Sequence, residues 1–384
     1  MDTMGDRLEE FLRKMKEVEA SMQKVNILVC GKTGVGKSTL INAVFRENLA
    51  ETGVGVPVTK HLCRIEKEGV PISLLDTRGL ELDAKAQEET RKEILGEIDR
   101  ALKTGKPEEH IHLLWYCVNS GSGRLEDFET EWIRSFSEKV KVVLVLTQSY
   151  AKEHERLKKT IEEMNLPIGA VVSVLAQDFE ITPEFKVAAH GLEGLVDASL
   201  QCIPEAFRMA FINAQRVDLK RKLAQANREV VFFISTAFAT GFSPIPLSDA
   251  PLLIANEFAM IAQLTSVFGL PLERSFVQAV LTAVAGSAGA TVLGKFIVSN
   301  LMKLVPVLEP VSGMISGSTA AMLTAALGYG YNEVMMSVVR RTQAGEKIKP
   351  EEIVSAIKSQ FEKQMAKGKD LLKGIRFGNQ KQSE

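Results

Sequence analysis

The chain has 384 residues and a formal net charge of −1, so it has room for roughly two or three domains and lacks the positive excess that nucleic-acid binding through a basic surface requires. Its four cysteines, Cys30, Cys63, Cys117 and Cys202, show no paired spacing, and two lie in apolar strand-like runs; buried reduced thiols are expected in place of disulfides or a metal site. The five histidines are equally scattered, and His110 and His112 sit around a strand start, where packing or surface exposure is the expectation.

Residues 1–24 read as a charged amphipathic helix with Leu8, Phe11, Leu12, Met15 and Val18 on one face. No cationic, apolar, small-residue leader opens the chain, which predicts a cytoplasmic location. The apolar run Val25-Asn26-Ile27-Leu28-Val29-Cys30 then leads through Gly31-Lys32-Thr33-Gly34-Val35-Gly36-Lys37-Ser38-Thr39 into Leu40-Ile41-Asn42-Ala43-Val44-Phe45. Strand, glycine-rich loop and helix start, in that order, form a phosphate-binding pattern, because only glycines let successive amides turn tightly around an anion. In it Lys37 reaches the β and γ phosphates and Ser38 offers a hydroxyl to Mg²⁺, with the positive helix end facing the charge.

A Gly-rich, flexible stretch covers 51–59, followed by strand candidates at 61–66 and 71–75. The second ends in Asp76-Thr77-Arg78-Gly79, a carboxylate placed to hold a water on Mg²⁺ and a glycine amide placed to bond a γ-phosphate. Further strands are predicted at 111–118, 141–146 and 170–175, separated by helices at about 83–104, 124–138 and 152–164. The alternation implies an α/β fold with a mostly parallel sheet covered on both faces, whose ligands bind at the carboxyl ends of the strands.

On these motifs, residues 25–200 resemble a GTP-binding G domain of the P-loop GTPases, closest to the Era-like and septin-like branches. The resemblance implies GTP and GDP as ligands and Mg²⁺ as cofactor. It also implies that Thr59 of Val-Pro-Val-Thr closes over Mg²⁺ and the γ-phosphate, with Thr52 the alternative, and that hydrolysis uses Lys37, Thr59 and Gly79. Leu80 stands where Ras-like relatives carry a water-orienting Gln, and Gly34 where some relatives hold potassium through an Asn. Slow intrinsic turnover is therefore expected, on the order of 10⁻³ per second or below without an activating partner.

The guanine-reading motif of such proteins, Asn/Thr-Lys-x-Asp, is replaced by Thr147-Gln148-Ser149-Tyr150. Loss of the charged acceptor removes roughly 2 to 3 kcal/mol of base discrimination. The fifth motif is assigned to Ser173-Val174-Leu175, where a backbone amide is expected to read the guanine O6.

His190-Gly191-Leu192 is predicted to start a helix reaching about 224, with residues 201–228 a connecting helix and Arg216, Lys220, Arg221 and Lys222 near its end. From Glu229 to Arg340 only 10 of 112 residues are charged, against 25% of the chain. The runs Val230–Ser248, Ser275–Gly294 and Pro310–Asn332 carry no charge, and each is about the length of a bilayer-crossing helix. Their many Ala, Gly, Ser and Thr residues suit close helix packing either in a membrane or in a compact bundle, and both readings stand. The pattern Ala239–Pro251 and the Gly-rich helices after it are similar to the YcjF-like domain of unknown function, which implies membrane association for the all-α unit at 229–345. Pro350 then opens a second amphipathic helix, within 346–376, with Ile353, Ile357, Phe361 and Met365 on one side; residues 377–384 are expected to be disordered.

The reading that results is a slowly hydrolysing GTPase whose nucleotide state controls an apolar helical unit, at a membrane surface or inserted in it. The alternatives are a nucleotide-gated, self-associating scaffold or membrane-remodelling protein with weak or no guanine specificity, and an Era-like factor acting on ribosomes or tRNA; no RNA-binding module follows the G domain to favour the last.

Overall fold

The computed structural model describes residues 4–45, 49–52, 54–77, 84–240, 249–270 and 317–380. These divide into two compact units, Met22–Asp218 on one hand and Met1–Ser21 with Leu219–Glu384 on the other.

In the first unit, β1 (Val25–Gly31) is buried along its whole length, which accounts for a nearly continuous apolar run where a half-exposed strand would alternate. It lies mid-sheet among β2 (Val54–Pro57), β3 (Leu62–Glu66), β4 (Ile72–Thr77), β5 (Leu113–Asn119), β6 (Val142–Thr147) and β7 (Ala170–Ser173), in the order β2-β3-β4-β1-β5-β6-β7. β4, β1, β5, β6 and β7 run parallel; β2 and β3 are antiparallel additions at one edge. Ile27 and Val29 pack into one apolar layer and Leu28 and Cys30 into the other. The first layer is closed by α2 (Lys37–Val44), α7 (Leu192–Cys202) and α8 (Glu205–Ala214), the second by α4 (Ala84–Lys103), α5 (Asp127–Ser137) and α6 (Glu153–Glu163). The short α3 (Leu49–Thr52) follows α2. Trp115 anchors the first layer: it stacks on Phe45 at 5.7 Å and donates from Nε1 to Ser199 Oγ at 3.0 Å. His112 is a packing residue: its Nδ1 accepts the Asn26 amide at 2.9 Å, and burial lowers its pKa.

Part of the stretch expected to be flexible is strand β2. Among the described residues its ladder is with β3 alone, so it gains hydrogen bonds on one side, and Gly55, Val56 and Pro57 stay exposed. A hairpin of β8 (Phe179–Thr182) and β9 (Phe185–Val187) went unpredicted for the same reason: its strands are short and exposed. The long helix predicted from 190 to about 224, with its connecting part assigned to 201–228, is three helices. Pro204 holds Ile203 extended and ends α7, and Gln215–Asp218 interrupt the chain before α9 (Leu219–Thr240).

The second unit contains α1 (Met4–Ser21), α9, α10 (Asp249–Phe268), α11 (Gly317–Gln343) and α12 (Pro350–Gln380) among its described residues. α11 packs on α9, α10 and α12, and α1 on α10. Glycine allows one close approach: a Cβ on Gly328 would meet Val230 Cγ2 at 2.7 Å and Met260 Sδ at 3.0 Å. Ile353, Ile357, Phe361 and Met365 of α12 are buried as their spacing implied. The helix runs through Gln380, so 377–380 are helical where disorder was expected, while 381–384 lie outside the described residues. Among the described residues no helix is long and apolar enough to cross a membrane; the run 275–294 and parts of the other two lie outside them.

The apolar packing of this unit encloses polar side chains, and most are paired. Lys222 Nζ donates to the carbonyls of Val267 and Phe268 at 3.1 and 3.2 Å, closing the carboxyl end of α10. Thr265 and Tyr331 share a 2.6 Å hydrogen bond, and Asn332 donates to Asn227 at 2.9 Å. Glu257 accepts from Thr324 at 2.6 Å through Oε1, but its Oε2 is buried without a partner, and burial pushes its carboxyl up to about 7.

Candidate nucleotide site

The carboxyl ends of β1 and β4 and the amino end of α2 bring the phosphate-loop residues together. Gly31 ends β1 at φ 148°, and a Cβ there would stand 2.4 Å from the Cys117 carbonyl oxygen, so the neighbouring strand excludes any larger residue. Gly36 caps α2 in the left-handed region at φ 95°, which lets the loop reverse into the helix. Between them Lys32, Thr33, Gly34 and Val35 form the turn, with Val35 buried as its plug. Lys37 is buried at 8% exposure, and its ammonium donates to the carbonyls of Gly31 at 2.8 Å and Lys32 at 3.1 Å. Ser38 and Thr39 are exposed on the first turn of α2. Lys32 points away from the loop interior, pairing with Glu126 at 2.6 Å above the Phe128 ring.

Asp76 sits opposite Val29 in the β1–β4 register, one residue before the end of β4. Its Oδ1 is buried and has no hydrogen-bond partner. Burial raises its pKa, against the nearby Lys37 charge that lowers it. A buried oxygen acceptor without a donor fits a hard, oxygen-seeking cation such as Mg²⁺, and Ser38 on the first turn of α2 carries a hydroxyl of the same chemistry. The thiol of Cys30, in the same strand as Gly31, is pushed up to about 12 by burial and is inert at neutral pH. Gly79 and Leu80 lie outside the described residues.

Thr59 lies in the turn between β2 and β3, at the sheet end where Leu62 pairs with Thr77. The structure does not bring it onto the phosphate loop: its hydroxyl donates to Glu93 Oε2 on α4 at 2.5 Å. The same oxygen accepts the His61 amide at 3.1 Å, and His61 Nδ1 lies 3.2 Å from Glu93 Oε1. Burial favours the neutral acid at Glu93, but the bonds from Thr59 and His61 outweigh it and hold the carboxyl below its usual range. Thr52, the alternative, ends α3.

At the base end, Thr147 is buried and its hydroxyl is used on the Val118 carbonyl at 3.1 Å, so it ties β6 to β5. Gln148 occupies the left-handed region at φ 53°; its Nε2 donates to the Gly34 carbonyl at 3.0 Å and its Oε1 accepts from Asn119 at 3.2 Å. A neutral amide thus links the base loop to the phosphate loop. Ser173 ends β7 with its hydroxyl buried and unpartnered. The expected reading of O6 by the 173–175 amides needs correction: Val174 N donates to Leu146 O at 2.8 Å and Leu175 N to His190 O at 3.0 Å. The next amides, Ala176 and Gln177, donate to nothing among the described residues.

One supporting segment gave no signal in the sequence. The Arg216 amide and Nε donate to the carbonyls of Val44 and Ala43 at 2.8 and 3.2 Å, closing the carboxyl end of α2 and fixing the helix that carries Lys37 and Ser38.

Residues 26–174 match the family described as 50S ribosome-binding GTPase, and residues 211–363 match a domain of unknown function, DUF697. The sheet order, the loop after β1 and the first match agree. The chain carries a P-loop GTPase G domain. It is followed by a DUF697 domain and a helical carboxyl-terminal region. Among curated proteins, GTPase Der of Bartonella quintana is 31% identical over 103 residues, 26% of this chain and 22% of Der. Translocase of chloroplast 108 of Physcomitrium patens is 34% identical over 84 residues, 21% of this chain and 8% of that protein. Magnetosome membrane protein 22 of Magnetospirillum gryphiswaldense is 30% identical over 84 residues, covering 22% and 43% respectively. The match therefore spans less than half the length of each of these relatives.

Proposed function

We propose that this protein is a slow GTPase switch, of the Era-like or septin-like branch, whose nucleotide state controls the helical unit. The observation that carries this reading is the buried Lys37 ammonium folded over the loop carbonyls, with the unpartnered Asp76 oxygen at the neighbouring strand end. In the switch, Lys37 moves from those carbonyls to the β and γ phosphates, and the loop amides hold the remaining oxygens. Ser38, Thr59 and, through a water, Asp76 would hold Mg²⁺; bound there, the ion would neutralise the charge that develops on the phosphates. Gly79 senses the γ-phosphate through its amide.

The contact of Thr59 with Glu93 supplies the second position of the switch. Thr59 reaches the metal only by leaving Glu93, so GTP binding and release of the 57–62 turn are coupled. Hydrolysis removes the γ-phosphate, and Thr59 returns. The helical unit is the output, and the low charge of residues 229–340 supports membrane attachment as the form that output takes. Two measurements test the proposal: Mg²⁺-dependent GTP hydrolysis at rising protein concentration, and pelleting with anionic liposomes in GTP and in GDP. Slow turnover with nucleotide-dependent pelleting is expected; pelleting identical in both nucleotides would contradict the coupling.

A further inference from the structure

Two loops frame the base end of the site, 147–150 after β6 and 174–178 after β7, and neither offers a free carboxylate. The fourth position of the first loop holds Tyr150, whose ring lies stacked on Phe179 with centroids 4.4 Å apart and planes at 17°. The single acid of the second loop, Asp178, is used on both oxygens: Oδ1 accepts the Ala189 amide at 2.7 Å and Oδ2 pairs with Lys186 at 2.7 Å. Those bonds fold it onto the β8–β9 hairpin, where Glu180 lies directly across from the same lysine. Within these two loops the groups left to meet a base are neutral. They are the Gln148 amide, already held between Gly34 and Asn119, and the amides of Ala176 and Gln177.

Amide donors pair with a 6-oxo group and oppose a 6-amino group, donor against donor. Guanine and hypoxanthine share the 6-oxo edge and differ in the 2-amino group, whose protons are read most strongly by a charged acceptor. We propose that this site reads the 6-oxo edge of a purine and ignores the 2-amino group, so that inosine triphosphate is bound as well as GTP while ATP is refused. The inference rests on the triphosphate reading above and adds the chemistry of the base.

The test is displacement of labelled GTP from the full chain, at fixed Mg²⁺, by unlabelled GTP, inosine triphosphate and ATP. The first two should displace at concentrations within about 3-fold of one another, with ATP at least about 30-fold weaker. Tyr150→Asp, which restores an acceptor at the fourth position, should then weaken inosine triphosphate relative to GTP by about 10-fold or more. Inosine triphosphate displacing about 10-fold more weakly than GTP from the unaltered chain would overturn the inference and leave the triphosphate reading intact; this comparison needs no variant to fold. Failure to retain labelled GTP, or equal retention by Lys37→Ala, would instead overturn the triphosphate reading and the inference with it.

Discussion

Glu257→Gln should make the stability of the helical unit nearly independent of pH between about 5 and 8. In the folded unit the Glu257 carboxyl is enclosed, with one oxygen bonded to Thr324 and the other unpartnered, and burial moves its pKa from 4.5 to about 7. The folded state therefore binds this proton more tightly than the unfolded state does. Its contribution is fully present below about 4.5 and is lost as pH rises through about 7. At 1.36 kcal/mol per pKa unit, ionisation by pH 8 costs on the order of 3 kcal/mol. The amide mimics the neutral acid, so the variant should match the unaltered protein at pH 5 and exceed it by up to about that amount at pH 8. Hydrogen exchange of α10 and α11 amides, corrected for intrinsic rates, reads this unit alone; both tryptophans, Trp115 and Trp132, lie in the other. Protection in the unaltered chain that does not fall from pH 5 to 8, or a variant less protected at pH 8, would refute the reasoning.

Gly328→Ala would drive a methyl group into Val230 and Met260 and should destabilise the helical unit by about 1 to 3 kcal/mol, seen as faster exchange of α9 and α11 amides; unchanged exchange would show that the helices shift freely. Glu93→Gln weakens the acceptor that holds Thr59. It should favour Mg²⁺-GTP over GDP by about 5-fold, the factor expected for roughly 1 kcal/mol at a partly exposed bond, in a comparison of the two dissociation constants. Equal gains for both nucleotides would remove Thr59 from the switch.

The phosphate loop was legible because its chemistry is local: the glycines, Lys37 and Ser38 are contiguous, and the flanking strand and helix announce themselves in apolar pattern. Asp76 was legible for a related reason, as a carboxylate at the end of an apolar strand. What escaped depends on contacts between distant residues. Nothing near Thr59 in sequence signals that Glu93, 34 positions later, holds its hydroxyl, and nothing in Gln215–Asp218 signals the carbonyls of α2. The amides of Val174 and Leu175 looked free because their acceptors, Leu146 and His190, come from other segments. In the helical half, small residues and low charge fit two environments equally well. The packing around Gly328 shows what a glycine does there.

The central claim is that Lys37 and the loop around it hold a guanine nucleoside triphosphate. Mg²⁺-dependent binding of labelled GTP to the purified chain and to Lys37→Ala tests it most directly. Tight binding that GDP and GTP displace, that falls at least about 100-fold in the variant and that chelation of Mg²⁺ weakens is the predicted result. Binding unchanged in Lys37→Ala, or absent from the unaltered chain, would contradict it.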